Sequence, residues 1–326
     1  MATVELPEDL PYDPFRKSLY TRDELMAGWP GETVDARIQR HVLEHGFRAP
    51  PAAEALAQRL HDHAVDAALS ELLCMEPRSR VVGIMGGATT PRTDQWYRRA
   101  AELSRTLARA GFLVASGGGP GTMEAANLGA YLAMQEDGAL DEALEILARA
   151  PAYGRETEPY VDAATEVRER FAPGDASIAI PTWFYPGEPV GQFATHIAKY
   201  FANSIREDGL LSIAVSGVVF APGRAGTVQE LFQDAAQNAY GIHGQSPMVL
   251  FGSDHYGADP SIYALLRDLA RRFGGYERLV TLTDDPAEVL DFIEANQPLD
   301  AVAQLQECKE PSQALRFVRN ERDRAR

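Results

Sequence analysis

The sequence predicts an α/β protein, a Rossmann-like, doubly wound parallel sheet with helices on both faces, together with a helical N-terminal extension. Apolar runs such as "RVVGIMGG" and "FLVASGGGPGT" end in glycines, as buried parallel strands do where they enter a turn. Each run is followed by a helical pattern, so strands and helices alternate along the chain. Residues 1–78 show helical periodicity without such strands. In a sheet of this kind, ligands bind at the carboxyl ends of the strands.

The extension, residues 1–78, is predicted to contain two helices, "TVDARIQRHVL" and "AAEALAQRLHDHAVDAALSELL". The positions expected on one apolar face are Val34, Ile38 and Val42 in the first helix, and Leu56, Leu60 and Leu72 in the second. His61 and His63 lie two positions apart on the second helix, so they point about 200° away from each other. This spacing disfavours a metal site.

Residues 79–296 are predicted to form the sheet domain, with six strands. Its first helix, "DQWYRRAAELSRTLARAG", turns Trp96, Ala100, Leu103 and Leu107 inward and ends at Gly111. The alternation stops over about 135–175, which we interpret as an insertion, either a lid or an interface arm. It resumes with the strand "SIAIPTWF" and a helix around "FATHIAKYFANSIREDG", and Asp285 before a first-turn proline marks the start of the last helix. Residues 297–326 are expected to be a C-terminal tail.

The charge balance bears on the partners of the protein. With 47 acidic and 31 basic residues, the net charge is −16, which disfavours binding to nucleic acid or to an anionic membrane surface. A small anion remains possible, because backbone N–H groups at a helix start bind phosphate locally. The N-terminal residues lack the features of a signal peptide, and no run reaches about 18 apolar residues, so a cytoplasmic location is expected. Two cysteines are too few for a four-cysteine zinc site.

The glycine-rich turns differ from the known dinucleotide and triphosphate loops. Neither "GIMGGA" nor "SGGGPGTM" matches G-x-G-x-x-G, and the chain has no G-x-x-x-x-G-K-[ST] segment. Three strand ends, at Gly86-Gly87, Gly117-Gly118-Gly119 and Pro222-Gly223, nevertheless open toward helix N-termini. Three such ends on one sheet edge favour a nucleotide-sized anionic ligand, although the glycines could also serve only to permit tight turns.

Two interpretations are open for Glu230. The run Thr227-Val228-Gln229-Glu230 matches a capping box, in which the glutamate would only satisfy the helix start. Alternatively, a carboxylate one turn into a phosphate-binding helix would lie beside the sugar, where cleavage of an N-glycosidic bond develops positive charge. Four polar residues are spaced as one stripe on the predicted upstream helix: His196, Lys199, Asn203 and Arg206. The last turn of that helix would bring Arg206 near Glu230.

With these residues, the sequence resembles the LOG (LONELY GUY) family, the cytokinin-activating nucleotide phosphoribohydrolases, and their bacterial relatives that hydrolyse nucleoside 5′-monophosphates. The signature of that family is P-G-G-x-G-T-x-x-E, and the segment from Pro222 to Glu230 fits eight of its nine positions. The segment "SGGGPGTMEAANLGA" and Arg206 in "FANSIRED" are also similar to family features. The similarity covers about residues 80–295.

The resemblance implies a Rossmann-like enzyme, a dimer or higher homo-oligomer, that splits a nucleoside monophosphate into free base and ribose 5-phosphate without a metal or an organic cofactor. It assigns catalysis to Arg206 and Glu230. The substrate-binding residues are then expected to be Gly223, Gly226 and Thr227 at the phosphate, and Gly86, Gly87, Gly118, Gly119, Gly121 and Thr122 around the nucleotide.

The signature departs from the family at Arg224, where the family has glycine. Arginine would be strained there if the position required a positive φ, and would otherwise add a cation to the phosphate site.

The resemblance also extends to molybdenum-cofactor carrier proteins, so a non-catalytic carrier is the alternative function. An enzyme for a modified nucleotide is a third interpretation. The lysine decarboxylase label given to relatives is rejected, because Lys199 is the one candidate Schiff-base lysine and has no supporting motif.

Overall fold

The computed structural model describes residues 5–45, 50–75, 80–154, 157–185, 187–258 and 261–298. Most of the predicted C-terminal tail lies outside these residues. The strands are β1 (Val81–Met85), β2 (Leu113–Ser116), β3 (Ser177–Ala179), β4 (His196–Ile197), β5 (Gly217–Phe220), β6 (Met248–Phe251) and β7 (Val280–Thr283). The helices are α1 (Arg22–Met26), α2 (Val34–His45), α3 (Ala52–Met75), α4 (Gln95–Arg109), α5 (Thr122–Tyr131), α6 (Ala139–Leu147), α7 (Thr157–Arg170), α8 (Asn203–Ile213), α9 (Ala225–Tyr240), α10 (Ser253–Tyr256), α11 (Ile262–Arg272) and α12 (Pro286–Ala295).

The seven strands form one all-parallel sheet in the order β4-β3-β2-β1-β5-β6-β7. Both faces are buried: Val81 and Met85 of β1 belong to one hydrophobic core, and Val82 and Ile84 to another on the opposite face. Residues of α8, α9 and α11 complete the first core, and residues of α4 and α12 complete the second. The predicted fold class, a doubly wound α/β sheet, is therefore confirmed.

The strand order reverses direction between β1 and β5. From β1 the chain proceeds outward through β2, β3 and β4, and it then returns to the other side of β1 to form β5. Loops that leave the carboxyl ends of these two strands diverge to opposite faces of the sheet, which leaves a crevice between them. The topology thus places a potential ligand site after Met85 and Phe220.

Local signals located several elements correctly. Ala100, Leu103 and Leu107 of α4 are buried, and Gly111 follows this helix with a φ of +86°. The Asp285 side chain accepts a hydrogen bond from the Ala287 N–H at 2.8 Å and so caps α12 as predicted.

The helix predicted around residues 193–208 is wrong in its first half. Residues His196–Ile197 form β4, the strand that the prediction of six strands omitted, and α8 begins only at Asn203. Lys199 is buried and pairs with Asp35, whose Oδ1 lies 2.7 Å from its Nζ, so the predicted polar stripe on one helix does not form. Consequently Arg206 lies on the first turn of α8, and not on the last turn of a longer helix.

The reason for this difference lies in the N-terminal extension. Tyr20 and Ile197 exchange backbone hydrogen bonds of 3.0 and 2.8 Å in an antiparallel bridge on the outer edge of β4. Residues of the extension share one hydrophobic core with the sheet. The inward positions of α2, Ile38 and Val42, are as predicted, whereas α3 buries Ala57, His61, Val65 and Leu69 and leaves the predicted Leu56 40% exposed.

The segment interpreted as an insertion contains α6 and α7, which pack on each other, and α6 also packs on α4. A buried ion pair joins this region to α5: Arg92 Nε donates to Glu124 Oε1 at 2.7 Å, and Arg92 Nη1 donates to the Tyr160 carbonyl at 3.0 Å. The interpretation of the segment as an inserted lid or interface arm stays a proposal. Among the described residues, no helix combines the length and the apolar character needed to cross a membrane.

Candidate functional site

A cleft of about 250 Å³ lies at the crevice between the ends of β1 and β5. It is lined by residues of the β1 and β2 turns, by the start of α8 and by the first turns of α9. Of the residues predicted from the sequence, those that line it are Gly86, Gly87, Arg206, Arg224, Gly226, Thr227 and Glu230. The cleft therefore joins residues that are up to about 140 positions apart in the chain.

The start of α9 contributes Arg224, Gly226 and Thr227 to the lining of this cleft. The Val228 N–H makes the first helical hydrogen bond, to the Arg224 carbonyl at 3.1 Å. The N–H groups of residues 225–227 precede that bond and have no partner within the helix. Gly226 is exposed, and a Cβ at that position would meet nothing within 4 Å. This arrangement suits an anion, which the positive end of the helix dipole also attracts.

The capping-box interpretation of Glu230 is wrong. The N-cap residue is Arg224, and Thr227 is already the third residue of α9, so Glu230 lies too far into the helix to bond back to its start. Thr227 is buried against Gly223, where a Cβ would lie 2.1 Å from the Thr227 Oγ1. Arg224 has a φ of −109°, so arginine at this position carries no positive-φ strain.

Glu230 and Arg206 meet across the cleft. Arg206 Nη1 lies 3.5 Å from Glu230 Oε1, and its Nε donates to the Ile180 carbonyl at 3.0 Å, which fixes the direction of the guanidinium. The two side chains are only 11% and 14% exposed. Burial raises the pKa of Glu230, Arg206 lowers it, and the nearby Glu207 raises it, with a net rise above the usual range. A carboxyl group with a raised pKa is better matched to proton transfer near neutral pH.

Several of the predicted glycines bring the loops around the cleft close together. The Gly87 N–H donates to the Pro222 carbonyl at 3.1 Å, and the Gly87 carbonyl accepts from the Thr122 N–H at 3.0 Å. The N–H groups of Gly87 and Thr122 therefore already have hydrogen-bond acceptors within the loops. Gly118 and Gly121 have φ values of +78° and +70°, and a Cβ on Gly121 would lie 2.4 Å from the Gly87 oxygen. Gly119 and Gly223 likewise stand outside the cleft lining. At these glycines the backbone lies so close to neighbouring atoms that a side chain would not fit.

Sequence reasoning missed several residues of the cleft. Met123, Tyr185, Glu207 and Gln229 also line it. Glu207 accepts hydrogen bonds from the side-chain amides of Asn203 at 2.8 Å and Gln229 at 3.2 Å, which links α8 to α9. Glu207 directly follows Arg206, so its proximity could have been suspected, whereas Tyr185 lies in an irregular segment without a periodic signal. The described residues contain no group of three His, Cys, Asp or Glu side chains placed to hold a metal.

Comparison with known proteins gives one family match and several structural likenesses. Residues 79–139, which include β1, α4, β2 and α5, match the model of the SLOG cluster4 family, and this match confirms the recognition of a LOG-type sequence in that segment. No curated protein matches the chain.

Several solved structures are similar to this chain, three of which follow. The structural genomics target TM1055 is 20% identical, with 66% of this chain and 99% of that chain covered and a TM-score of 0.38. The molybdenum cofactor binding protein from the phototrophic bacterium Rippkaea orientalis is 16% identical, with 68% and 98% covered and a TM-score of 0.40. The molybdenum cofactor carrier protein from Chlamydomonas reinhardtii is 16% identical, with 70% and 98% covered and a TM-score of 0.36.

Proposed function

We propose that this protein hydrolyses the N-glycosidic bond of a nucleoside 5′-monophosphate and releases the free base and ribose 5-phosphate. One observation carries the proposal: the Glu230 carboxylate lines the same cleft as the open start of its own helix, and Arg206 holds it at 3.5 Å. The proposed phosphate site and the carboxylate would thus lie one helical turn apart.

The start of α9 would bind the 5′-phosphate. The N–H groups of residues 225–227 supply hydrogen-bond donors, and the exposed Arg224 adds a cation beside them. Glu230 follows Thr227 by three residues, which is about 4.5 Å along the helix axis. A ribose attached to the bound phosphate would lie at that distance from the helix start, so its anomeric carbon would come within reach of the carboxylate.

The reaction breaks the bond between C1′ and the base nitrogen, and positive charge develops on the ribose ring as this bond lengthens. The ionised Glu230 would stabilise that charge and accept a proton from the water that attacks C1′. The water oxygen stays on C1′, the departing base takes up a proton from solvent at its nitrogen, and Glu230 returns its own proton to solvent, so the reaction consumes one water and no net proton. Arg206 would orient the carboxylate and keep its ionised form accessible, because a guanidinium lowers the pKa of a neighbouring carboxyl group.

Chromatography of the products formed with AMP, GMP, CMP, UMP and a cytokinin ribotide tests the proposal. We expect base release from at least one of them, and a loss of at least 100-fold in kcat for Glu230→Gln with ribose 5-phosphate binding retained. Glu294→Gln, an exposed change on α12, is the matched control. Absence of base release from every nucleotide, with phosphate binding intact, would contradict the hydrolase assignment.

The alternative is a non-catalytic carrier of a nucleotide or a molybdenum cofactor, since the same helix start could hold a phosphate without cleaving its ligand. The Arg206–Glu230 pair favours the enzyme, because phosphate retention needs no carboxylate in the cleft. A pterin that copurifies with the protein and absorbs visible light would favour the carrier. Assembly into a homo-oligomer and a cytoplasmic location stay predictions.

A further inference from the structure

A second pocket of about 610 Å³ lies beside the cleft, between α3 of the N-terminal extension and the start of α8. We call it the extension pocket. The residues that matter here are Ala55, Gln58, Phe184, Phe201, Asn203 and Glu207. Two of them, Ala55 and Gln58, belong to the extension, so this pocket exists only because the extension packs on the sheet domain.

The two spaces adjoin each other. Glu207 lines both the cleft and the extension pocket. Asn203 Nδ2 donates to Glu207 Oε1 at 2.8 Å and to the hydroxyl of Tyr185 at 3.3 Å, and Tyr185 lines the cleft. Phe184 lines the pocket and contacts the Tyr185 ring edge to face, with 5.1 Å between the centroids. The cleft and the extension pocket therefore share Glu207, and their lining side chains contact one another.

The size of the cleft argues that a nucleotide needs both. At about 250 Å³ the cleft is smaller than the roughly 300–1,000 Å³ of ordinary small-ligand pockets. If phosphate and ribose occupy the cleft beside α9 and Glu230, the base must extend into adjoining space. The extension pocket is that space.

The lining of the extension pocket suits a flat ring and not a second phosphate. Phe184 and Phe201 supply apolar ring surface for stacking. The charged lining residues are Arg59, Asp62 and Glu207, which together carry a net negative charge that disfavours an anion. A neutral aromatic ligand meets both conditions.

The hydrogen bonds of two side-chain amides in the lining of the extension pocket fix which of their atoms remain without a partner among the described residues. Gln58 Nε2 donates to Glu54 at 2.9 Å, which leaves the Gln58 carbonyl oxygen as an acceptor. Asn203 must point its amide nitrogen at the acceptor-only Glu207 carboxylate, and its Oδ1 is buried without a partner among the described residues. A ligand with an N–H donor in the extension pocket would hydrogen-bond to the Gln58 oxygen, whereas the Asn203 oxygen lies below the pocket surface.

From this geometry we infer that the extension pocket is the base subsite of the nucleotide, and that it selects bases with an exocyclic amino group over their keto counterparts. The inference rests on the proposed function for the position of the phosphate and ribose. It gives the N-terminal extension a direct part in substrate selection, through Gln58 on α3.

Calorimetric titration with AMP, IMP and ribose 5-phosphate tests the inference, in a Glu230→Gln background so that no nucleotide is consumed. Without further change, we expect AMP to bind at least tenfold more tightly than IMP or ribose 5-phosphate. Ala55→Phe fills the pocket and is expected to reduce AMP affinity to that of ribose 5-phosphate, whose own affinity stays the same. Leu56→Phe, at the neighbouring exposed position outside the pocket lining, is the matched control and should change nothing.

Equal affinities for AMP and IMP would overturn the selection of amino-bearing bases. Unchanged AMP affinity in the Ala55→Phe variant, with the fold preserved by circular dichroism, would overturn the subsite itself. Failure of the proposed function gives a different result, because base release by the unmodified protein is measured separately. A protein that binds AMP through this pocket but releases no base would keep the subsite and lose the hydrolase.

Discussion

Asp234 provides a test of the burial of α9 that does not depend on activity. It is 3% exposed, and its Oδ2 has no hydrogen-bond partner among the described residues. Burial raises its pKa from 3.8 to about 8. The folded protein therefore keeps this proton up to about pH 8, whereas the unfolded chain releases it above about pH 4. The protonated Asp234 therefore contributes its full stabilisation below about pH 4, the pKa of Asp in the unfolded chain. That stabilisation decreases as the pH rises and is lost once the pH passes about 8, the pKa of Asp234 in the folded protein.

The magnitude follows from the width of that window. Each pH unit between about 4 and about 8 favours the unfolded chain by about 1.4 kcal/mol, so the full loss is on the order of 5 kcal/mol. Asp234→Asn keeps the shape of the side chain and has no proton to release. We therefore expect this variant to be several kcal/mol more stable than the unchanged protein at pH 8, with the difference shrinking toward zero near pH 4.

Urea denaturation followed by circular dichroism at pH 5, 6, 7 and 8 measures the effect. Asp291→Asn, at an exposed position on α12, is the matched control and should show a small difference that does not follow this trend. A free-energy difference for Asp234→Asn that is the same at all four pH values, or that favours the unchanged protein at pH 8, would refute the reasoning.

Three further predictions concern the catalytic pair. Arg206→Gln removes the guanidinium that lowers the pKa of Glu230, so the acidic limb of the plot of kcat/KM against pH should move to higher pH; a limb that stays in place would contradict this role. Asp62 accepts hydrogen bonds from the backbone N–H groups of residues 201 and 202 at 2.9 and 3.0 Å, at the start of the helix that carries Arg206. Asp62→Asn should lower the free energy of unfolding by about 1–3 kcal/mol and shift the acidic limb of the plot of kcat/KM against pH. Asp66→Asn, which like Asp62 lies on α3, should leave that limb unchanged. In Gly117→Ala the new Cβ would lie 2.3 Å from the Nη2 of Arg206, so kcat should fall at least tenfold; an unchanged kcat would show that the guanidinium can move without loss.

Elements with strong local signals were predicted correctly from the sequence. The apolar runs of β1 and β2, the inward face of α4 and the Asp285 cap of α12 depend on residues close together in the chain. The run from Phe193 to Phe201 was misread because its burial comes from the extension: Tyr20 bonds to Ile197, and Asp62 to the N–H groups before α8. A partner more than 130 residues away leaves no trace in local periodicity.

For the candidate site, the spacing of the Pro222–Glu230 signature was sufficient to single out Glu230, but not to tell a cap from a cleft residue. That distinction depends on where α9 begins: it begins at Ala225, and Thr227, its third residue, packs against Gly223. By itself, the sequence determined the alternation of strands and helices and the residue types at the strand ends, since both follow from nearest neighbours. Only the tertiary structure decided that Arg206 reaches Glu230 from the first turn of α8, and that the N–H groups of Gly87 and Thr122 bond within the loops. It also decided that the extension builds a second pocket beside the cleft, because each of these features depends on contacts between distant segments.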